Sequence, residues 1–349
     1  MWSPLRWPLS RGQWTGKCIT WKDVIVLTAC AHIARYLLVV SYCFLCHVTF
    51  YRWSSCANDQ LQPKLFPHST SNILASASAC DEEQVLVYVP SLFSHFQRRQ
   101  MIRETWAKSV LTGSFKTKVV FVLGTAAVGQ SSDQPRLRTE LSQFDDVIVF
   151  DVADHYYNLT LKTRAIFNWT LHNCPKVQFL IRADADIVLN SRMLNRFLHY
   201  HVDSGARLDE PIVFGQCRPY DCITRLPWSK SCLPAAFFES LAKPLFYPSY
   251  CLGFSSIVSI EYVRQAAQLW ARRRPGVDYL PMEDLHAIGY TGRSIGAWKV
   301  GHRNLFVFDK YFDSYSCQNG AIASAAYDDQ GVMRDRWTRY QERCGASHS

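Results

Sequence analysis

Short runs of consecutive apolar residues punctuate the chain, and between them apolar positions recur at helical spacing. Gln84–Pro90 (QVLVYVP), Lys118–Leu123 (KVVFVL, closed by Gly124), Val147–Phe150, Val177–Ile181 and Ser256–Ile260 have the length and apolar continuity of buried strands. Phe96–Lys108, Asp133–Phe144, Asn158–His172, Ser191–His201 and Glu261–Arg273 alternate with them as predicted helices. Asn158 and Ser191 stand where N-caps belong. This alternation predicts an α/β domain with a mostly parallel sheet flanked by helices. Gly205–Pro248 breaks the pattern with many Pro and Cys, and no internal repeat is present.

One predicted strand ends unusually. Phe179–Asn190 reads FLIRADADIVLN, with Asp184 and Asp186 between two apolar runs. An unpaired buried carboxylate is very costly, so these two need a partner. In extended chain, positions two apart point the same way, so both carboxylates can converge on one ion. Hard cations such as Mg²⁺ and Mn²⁺ take oxygen ligands and bridge to phosphates. The stretch reads either as a strand end that holds a metal–diphosphate or as a tight turn that contains two acids. In parallel sheets ligands bind beyond the carboxyl ends of strands, which is where this pair lies.

The N-terminus has a different pattern. Arg6, Arg11, Lys17 and Lys22 precede an apolar region from Val24 to Tyr51, interrupted by His32 and Arg35. A spanning helix needs about 20 apolar residues. Two registers fit, roughly Val24–Cys46 and Ile33–Tyr51. The second is preferred, because it keeps Lys17, Lys22 and Arg35 together on the cytosolic side. No small-residue cleavage site lies close behind it, which favours an uncleaved signal-anchor; an amphipathic or buried N-terminal segment is the alternative. The resulting division is a cytosolic N-terminus over 1–32, a signal-anchor helix over 33–51, a flexible lumenal stem over 52–83, rich in Ser, Gln, Pro and Asn, and a globular domain over 84–349.

Composition narrows the class. With 349 residues there is room for one large domain or two small ones. The net charge of +9 suits an anionic ligand or a membrane surface, but no long Lys/Arg run marks a nucleic-acid partner. Thirteen cysteines without a paired CxxC zinc pattern point to an oxidising compartment and several disulfides. Neither GxSxG nor HExxH occurs, which leaves a membrane-anchored hydrolase without support.

Six stretches, in order, resemble one family. They are Arg98-Arg99-Gln100-Met101-Ile102-Arg103-Glu104-Thr105-Trp106, the strand segment Phe121-Val122-Leu123-Gly124, and Tyr156-Tyr157-Asn158-Leu159-Thr160-Leu161-Lys162-Thr163. Asp184-Ala185-Asp186, Tyr247-Pro248-Ser249-Tyr250-Cys251 with Gly253, and Glu283-Asp284-Leu285 complete the set. Together they are similar to the motifs of the Golgi β-1,3-galactosyltransferase and N-acetylglucosaminyltransferase family, from about Gln84 to Cys344. The resemblance implies a GT-A-type, Rossmann-like catalytic domain on a single-pass type II Golgi membrane protein. It implies inverting transfer of a hexose or N-acetylhexosamine from a UDP-sugar to a hydroxyl of a glycoprotein or glycolipid glycan, forming a β-1,3 bond.

Within that resemblance each motif has an expected role. Asp184 and Asp186 are expected to hold Mn²⁺, or Mg²⁺, against the leaving diphosphate. Arg103 and Lys162 are candidates for the nucleotide's negative charge, with a solvated helix face as the alternative for Arg103. Trp106 reads as a base- or sugar-stacking residue or, more commonly, a core Trp. Asp284 is expected to take the acceptor proton; read without the family, Glu283-Asp284 is a pair of helix N-terminal acids. Asn158-Leu159-Thr160 and Asn168-Trp169-Thr170 are glycosylation sequons, at Asn158 and Asn168.

The chain also departs from the pattern. Ser255 and Ser256 replace a Gly and an aromatic, and the Gly after the acid pair comes one residue late, at Gly289. Ala326 stands where the family carries a metal-binding His, and no His occurs between His302 and His348. These departures support an alternative, a catalytically impaired relative acting as a secretory-pathway chaperone or binding protein.

Overall fold

The computed structural model describes residues 32–41, 72–125, 134–203, 209–219, 221–223, 229, 232–233, 246–272, 280–307, 320–324 and 330–345. The chain divides into two compact units, one ending at Trp53 and one beginning at Ser54. In the first, residues 32–41 are helical; the remainder of the expected anchor, 42–51, lies outside the described residues. Among the described residues no helix is long and apolar enough to cross a membrane.

In the second unit an eight-stranded sheet has the order β1-β4-β3-β2-β5-β8-β7-β9. Its strands are β1 (Ile73–Ala75), β2 (Val85–Pro90), β3 (Thr117–Thr125), β4 (Val147–Ala153), β5 (Phe179–Ala183), β7 (Ile212–Arg218), β8 (Tyr250–Ser259) and β9 (Trp298–Gly301). Every residue of β2 is buried. Val85, Val87 and Val89 face one apolar layer, with Trp106, Phe197 and Met333, while Leu86 and Tyr88 face the other, with Phe167, Tyr262 and Val263. That two-sided burial is why the strand reads as a continuous apolar run rather than an alternating one.

From β2 the parallel strands β3 and β4 step away on one side and β5, also parallel, takes the other. Such a reversal opens a crevice at the carboxyl ends of β2 and β5. Beyond β5 the sheet is no longer parallel throughout. β8 runs antiparallel to β5 and β7, β7 is parallel to β9, and β1 is antiparallel to β4. The sheet is therefore mixed, which corrects the mostly parallel expectation. The sequence hides the antiparallel part: β7 lies inside the irregular Gly205–Pro248 segment, and β8 starts as early as Tyr250 but runs through the buried polar residues Ser255 and Ser256, which mask it as an apolar run. A small second sheet joins β10 (Phe306–Val307), β11 (Ala323–Ser324) and β6 (Val188–Leu189), which fixes the chain soon after it leaves β5.

Part of the expected stem belongs to this fold. β1 pairs with β4, and a Cys80–Cys174 disulfide ties the segment to the end of the helix Leu159–Asn173. A Cys217–Cys251 disulfide staples β7 to β8, and Cys222 and Cys232 are also disulfide-bonded.

Two expected caps differ in detail. Asn158 occupies the N-cap position of Leu159–Asn173, but its side chain makes no capping bond; its amide donates to the Ala153 carbonyl at 2.7 Å instead. The helix Ser191–Asp203 is capped one residue earlier, where Asn190 Oδ1 accepts from the Met193 amide at 3.1 Å.

The helix that begins at Phe96 carries two arginines into the core. Arg99 is fully buried and donates to Glu140 at 2.9 and 2.6 Å, to Ser91 Oγ at 3.2 Å and to the Leu92 carbonyl at 2.7 Å. Arg103 pairs with Asp146 at 2.7 Å and Glu140 at 2.8 Å, its guanidinium over the rings of Phe121 and Phe144. Glu140 therefore neutralises two cations. Glu140→Ala is expected to destabilise the protein by about 3–5 kcal/mol in chemical denaturation, the usual result of stranding a buried charge. Glu140→Gln, which keeps an acceptor, is expected to lose less. A loss in Glu140→Ala no larger than that of an exposed ion pair, under about 1 kcal/mol, would show that water already screens the cluster.

Candidate active site

The carboxyl end of β5 is built around a cation. Strand alternation turns Arg182 to the same face as Leu180, between the helix Leu159–Asn173 and the segment that begins at Glu283. Arg182 is buried; its Nη2 and Nε donate to Asp184 Oδ1 at 3.0 and 3.2 Å, and its Nη1 forms an ion pair with Glu283. The second Glu283 oxygen accepts from Thr163 Oγ1 at 2.9 Å. Gly253 lies against this pair: a Cβ there would stand 3.1 Å from Arg182 Nη1 and 3.3 Å from Glu283 Oε2. Ser255, one of the departures from the family pattern, donates to the Arg182 carbonyl at 3.0 Å.

Asp184 and Asp186 do not lie within a strand. β5 ends at Ala183, the Asp184 amide extends the β5–β8 pairing to the Phe254 carbonyl at 2.9 Å, and Ala185-Asp186 then turn. The Asp184 carbonyl accepts from Ile187 at 3.3 Å, closing the turn. The strand-end and tight-turn readings thus describe one geometry, and the expectation of an extended chain through both acids is corrected. Burial pushes the Asp184 carboxyl up to about 6; Arg182 opposes this, while the charges of Asp186 and Asp284 add to it. Asp284 lies within electrostatic reach of Arg182, its Oδ1 accepting from the Leu285 amide at 2.8 Å. Burial raises its pKa as well, against the pull of Arg182 and backbone donors that include Gly253. Three carboxylates from two segments, Asp184, Asp186 and Asp284, therefore lie within electrostatic reach of one another around one buried guanidinium. Tyr156, 49% exposed, adds an aromatic ring there, its phenol raised by burial and by Asp284 and Asp184.

Asp284 opens a helical stretch, Asp284–Tyr290, wound with the wider i→i+5 geometry of a π-helix. A one-residue insertion into a helix is accommodated as such a turn. This accounts for Gly289 arriving one residue late. It still meets its neighbours, since a Cβ on Gly289 would stand 3.3 Å from Tyr250 Cβ and 3.4 Å from Pro248 Cγ.

The other sequence candidates lie in different surroundings. Lys162 is buried in an ion pair with Asp154 and donates to the Ser91 carbonyl at 3.1 Å, at the ends of β4 and β2. Arg103 is held by Asp146 at the start of β4, with β3 and β2 between it and the acid turn. Trp106 is fully buried in the core. Asn158 is fully buried with its amide committed, so the expected glycan has no room in the folded state; Asn168 is exposed. Ala326 lies outside the described residues. Sequence reasoning misses Arg182 and Glu283 as partners. A lone Arg inside an otherwise apolar run is the available signal.

The donor chemistry at the turn fits a hard divalent cation, since Asp184 and Asp186 offer carboxylate oxygens in a region of excess negative charge. It does not form a closed cage: among the described residues no set of three or more His, Cys, Asp or Glu side chains is placed to hold a metal. Such a site relies on oxygens from elsewhere, as Mg²⁺ sites built on one or two carboxylates do.

The raised Asp184 carboxyl sets a pH dependence. The unfolded chain releases this proton near pH 4 and the folded chain at about 6, so stability falls as pH rises through that interval and stays lower above it. In EDTA, wild type is expected to lose thermal stability relative to Asp184→Asn between pH 4 and 7, the difference moving in the variant's favour as pH rises. A difference that does not change with pH would show that Asp184 titrates normally.

Known proteins place this geometry. A galactosyltransferase family model matches residues 97–303, more than half of the chain. The acetylgalactosaminyl-O-glycosyl-glycoprotein beta-1,3-N-acetylglucosaminyltransferase of Mus musculus is 29% identical, over 52% of this chain and 45% of its own length. The UDP-GlcNAc:betaGal beta-1,3-N-acetylglucosaminyltransferase 8 of the same organism is 29% identical, over 69% and 58%. Beta-1,3-galactosyltransferase 5, also from Mus musculus, is 24% identical over 65% and 68%. The chain thus spans about half the length of the first two. The family match runs from the helix Phe96–Ile102 past β9, taking in β5, the acid turn and Asp284, and by it this chain belongs to the galactosyltransferase family.

Proposed function

We propose that the protein is a UDP-sugar-dependent, inverting β-1,3-glycosyltransferase, anchored as a type II protein in the Golgi membrane by residues 33–51. Support for the reaction comes from the family and from relatives named for both N-acetylglucosaminyl and galactosyl transfer. The observation that carries it is the electrostatic coupling of the Asp284 and Asp184 carboxyls to each other and to Arg182, which Glu283 pairs.

Inversion by single displacement needs a base on the acceptor side of the anomeric carbon. The acceptor oxygen bonds to that carbon, its proton passes to the Asp284 carboxylate, and the bond to the diphosphate breaks with its electron pair. Burial raises the Asp284 pKa and so makes it a better proton acceptor, while Arg182 pulls in the opposite direction. Glu283, paired to Arg182 and Thr163, holds the segment so that the carboxyl is in place before the acceptor arrives. When bound by Asp184 and Asp186, Mn²⁺ or Mg²⁺ supplies the positive charge that stabilises the leaving diphosphate. Lys162, tied to Asp154 and Ser91, shapes the crevice wall at the ends of β2 and β4, and Arg103 stabilises the helix behind it.

A UDP-release assay with UDP-galactose, UDP-N-acetylglucosamine and UDP-N-acetylgalactosamine against a panel of glycan acceptors tests this. Asp284→Asn is expected to lower kcat by about 10²–10⁴-fold with the donor KM little changed. Wild-type kcat/KM is expected to rise with pH along a limb above the ordinary carboxylate range, and that limb is expected to vanish in the variant. Asp186→Ala is expected to abolish the response to Mn²⁺. No release with any donor and any divalent metal would overturn the enzyme and favour a non-catalytic binding protein or chaperone.

A further inference from the structure

A second concave surface, a groove of about 600 Å³, is separate from the acid turn. Trp298, Arg293, Lys299, Tyr247, Pro248 and Ser249 contribute to its lining. β9 is an edge strand, and its Trp298 is 64% exposed. An exposed Trp beside a groove is an unusual way to leave so much apolar surface in water.

The charges there are one-sided. Arg293 is exposed and Lys299 half-buried, and among the described residues neither forms an ion pair with a carboxylate. Burial and the charge of Arg293 both push the Lys299 ammonium down, and no acidic group among the described residues counters them. The Lys299 stem occupies space that Gly292 leaves open: a Cβ on Gly292 would stand 2.9 Å from Lys299 Cε and 3.3 Å from its Nζ. Two cations that repel one another are held in a groove where no carboxylate among the described residues pairs with them, and an anion would complete the arrangement.

The groove also leads toward the proposed reaction centre. Pro248 packs on Gly289, in the wide turn that begins at Asp284. Tyr250, two residues on, lies within the electrostatic reach of Asp284 and donates to Asp221 at 2.7 Å. Tyr247-Pro248-Ser249 therefore joins the lining of the groove to the segment that packs against the Asp284 turn.

We propose that this groove is a saccharide subsite for a sugar bearing a carboxylate or a sulfate, with the pyranose against Trp298 and the anion between Arg293 and Lys299. The inference rests on the acceptor being a glycan. An indole offers a flat amphipathic surface to the C–H face of a sugar, and Arg adds directional recognition of the anion. Two cations and one Trp are too few for a nucleic-acid track, which needs a stripe of basic residues.

Isothermal titration of the full-length protein, without UDP-sugar, tests it directly. The probes are a 6-sulfated N-acetyllactosamine, a glucuronate-terminated disaccharide, neutral N-acetyllactosamine and inorganic sulfate. At least one anionic disaccharide is expected to bind about tenfold or more tighter than the neutral one, the discrimination expected of one charge-assisted contact. Arg293→Ala/Lys299→Ala is expected to erase that preference, and Trp298→Ala to weaken the anionic disaccharide while leaving inorganic sulfate unchanged. Unaltered thermal midpoints for these surface variants would establish that each still folds. Equal affinity for neutral and anionic disaccharides, a preference that survives the double variant, or inorganic sulfate binding as tightly as the sulfated sugar would each overturn the proposal. A protein that fails to release UDP yet shows the preference would keep the subsite and lose the enzyme assignment. One that transfers sugar without it would do the reverse.

Discussion

A guanidinium shut away from water at the end of a strand has to be matched by carboxylates, and that requirement organises the centre of this molecule. Arg182 meets it with Asp184 from just past the end of its own strand and Glu283 from a segment far along the chain. Each partner brings something with it. Asp184 fixes the turn that leads to Asp186, and Glu283 fixes its neighbour, Asp284. Thr163 donates to Glu283 from a helix and Ser255 to the Arg182 carbonyl from β8, so four segments are tied together around one ion pair. Losing either partner of such a pair typically costs several kcal/mol because the other charge is left buried and alone. Without Arg182 the acids would also repel one another, so the cation that stabilises the fold is what allows three carboxylates to share a crevice.

The same logic recurs one strand over. Lys162 and Asp154 neutralise each other at the ends of β2 and β4, and Arg99 takes the next positions along β2's carboxyl end, at Ser91 and Leu92. The crevice therefore stands on pre-paired charges rather than on mobile ones. A site built this way needs little reorganisation when a charged ligand arrives, which is the property that electrostatic catalysis requires.

Much of this is legible in the amino acids, for a physical reason. β2, β3 and β5 are buried on both faces and announce themselves as apolar runs, and the acid pair stands out because carboxylates are rare beside such runs. β8 reads too short because its middle is polar: Ser256 pairs in register with Arg182, Ser255 bonds the Arg182 carbonyl, and Gly253 is small to make room for the guanidinium. β7 is invisible because a segment rich in Pro and Cys conceals a strand held by its neighbours and by a disulfide. Lys162 and Arg103 carry the right charge for a phosphate, yet their carboxylate partners come from elsewhere in the chain, and single-sequence reading has no access to such pairings. Asn158 reads as a cap or a glycan site by its letters alone; its burial is imposed by the sheet beneath it.

The wide turn at Asp284–Tyr290 has a consequence for how the family varies. In an ordinary α-helix each residue advances the chain by about 100° of rotation and 1.5 Å of rise. A π-turn stores one extra residue without passing that rotation on to the residues beyond it. Here it lets Gly289 rejoin Tyr250 and Pro248 although the spacing from the acid pair has changed. Removing a single residue between Leu285 and Ile288 would return the segment to tighter winding and turn Asp284 away from the crevice, or drag Gly289 off its seat. The segment thus behaves as a register device, in which chain length rather than side-chain identity sets where the acid points.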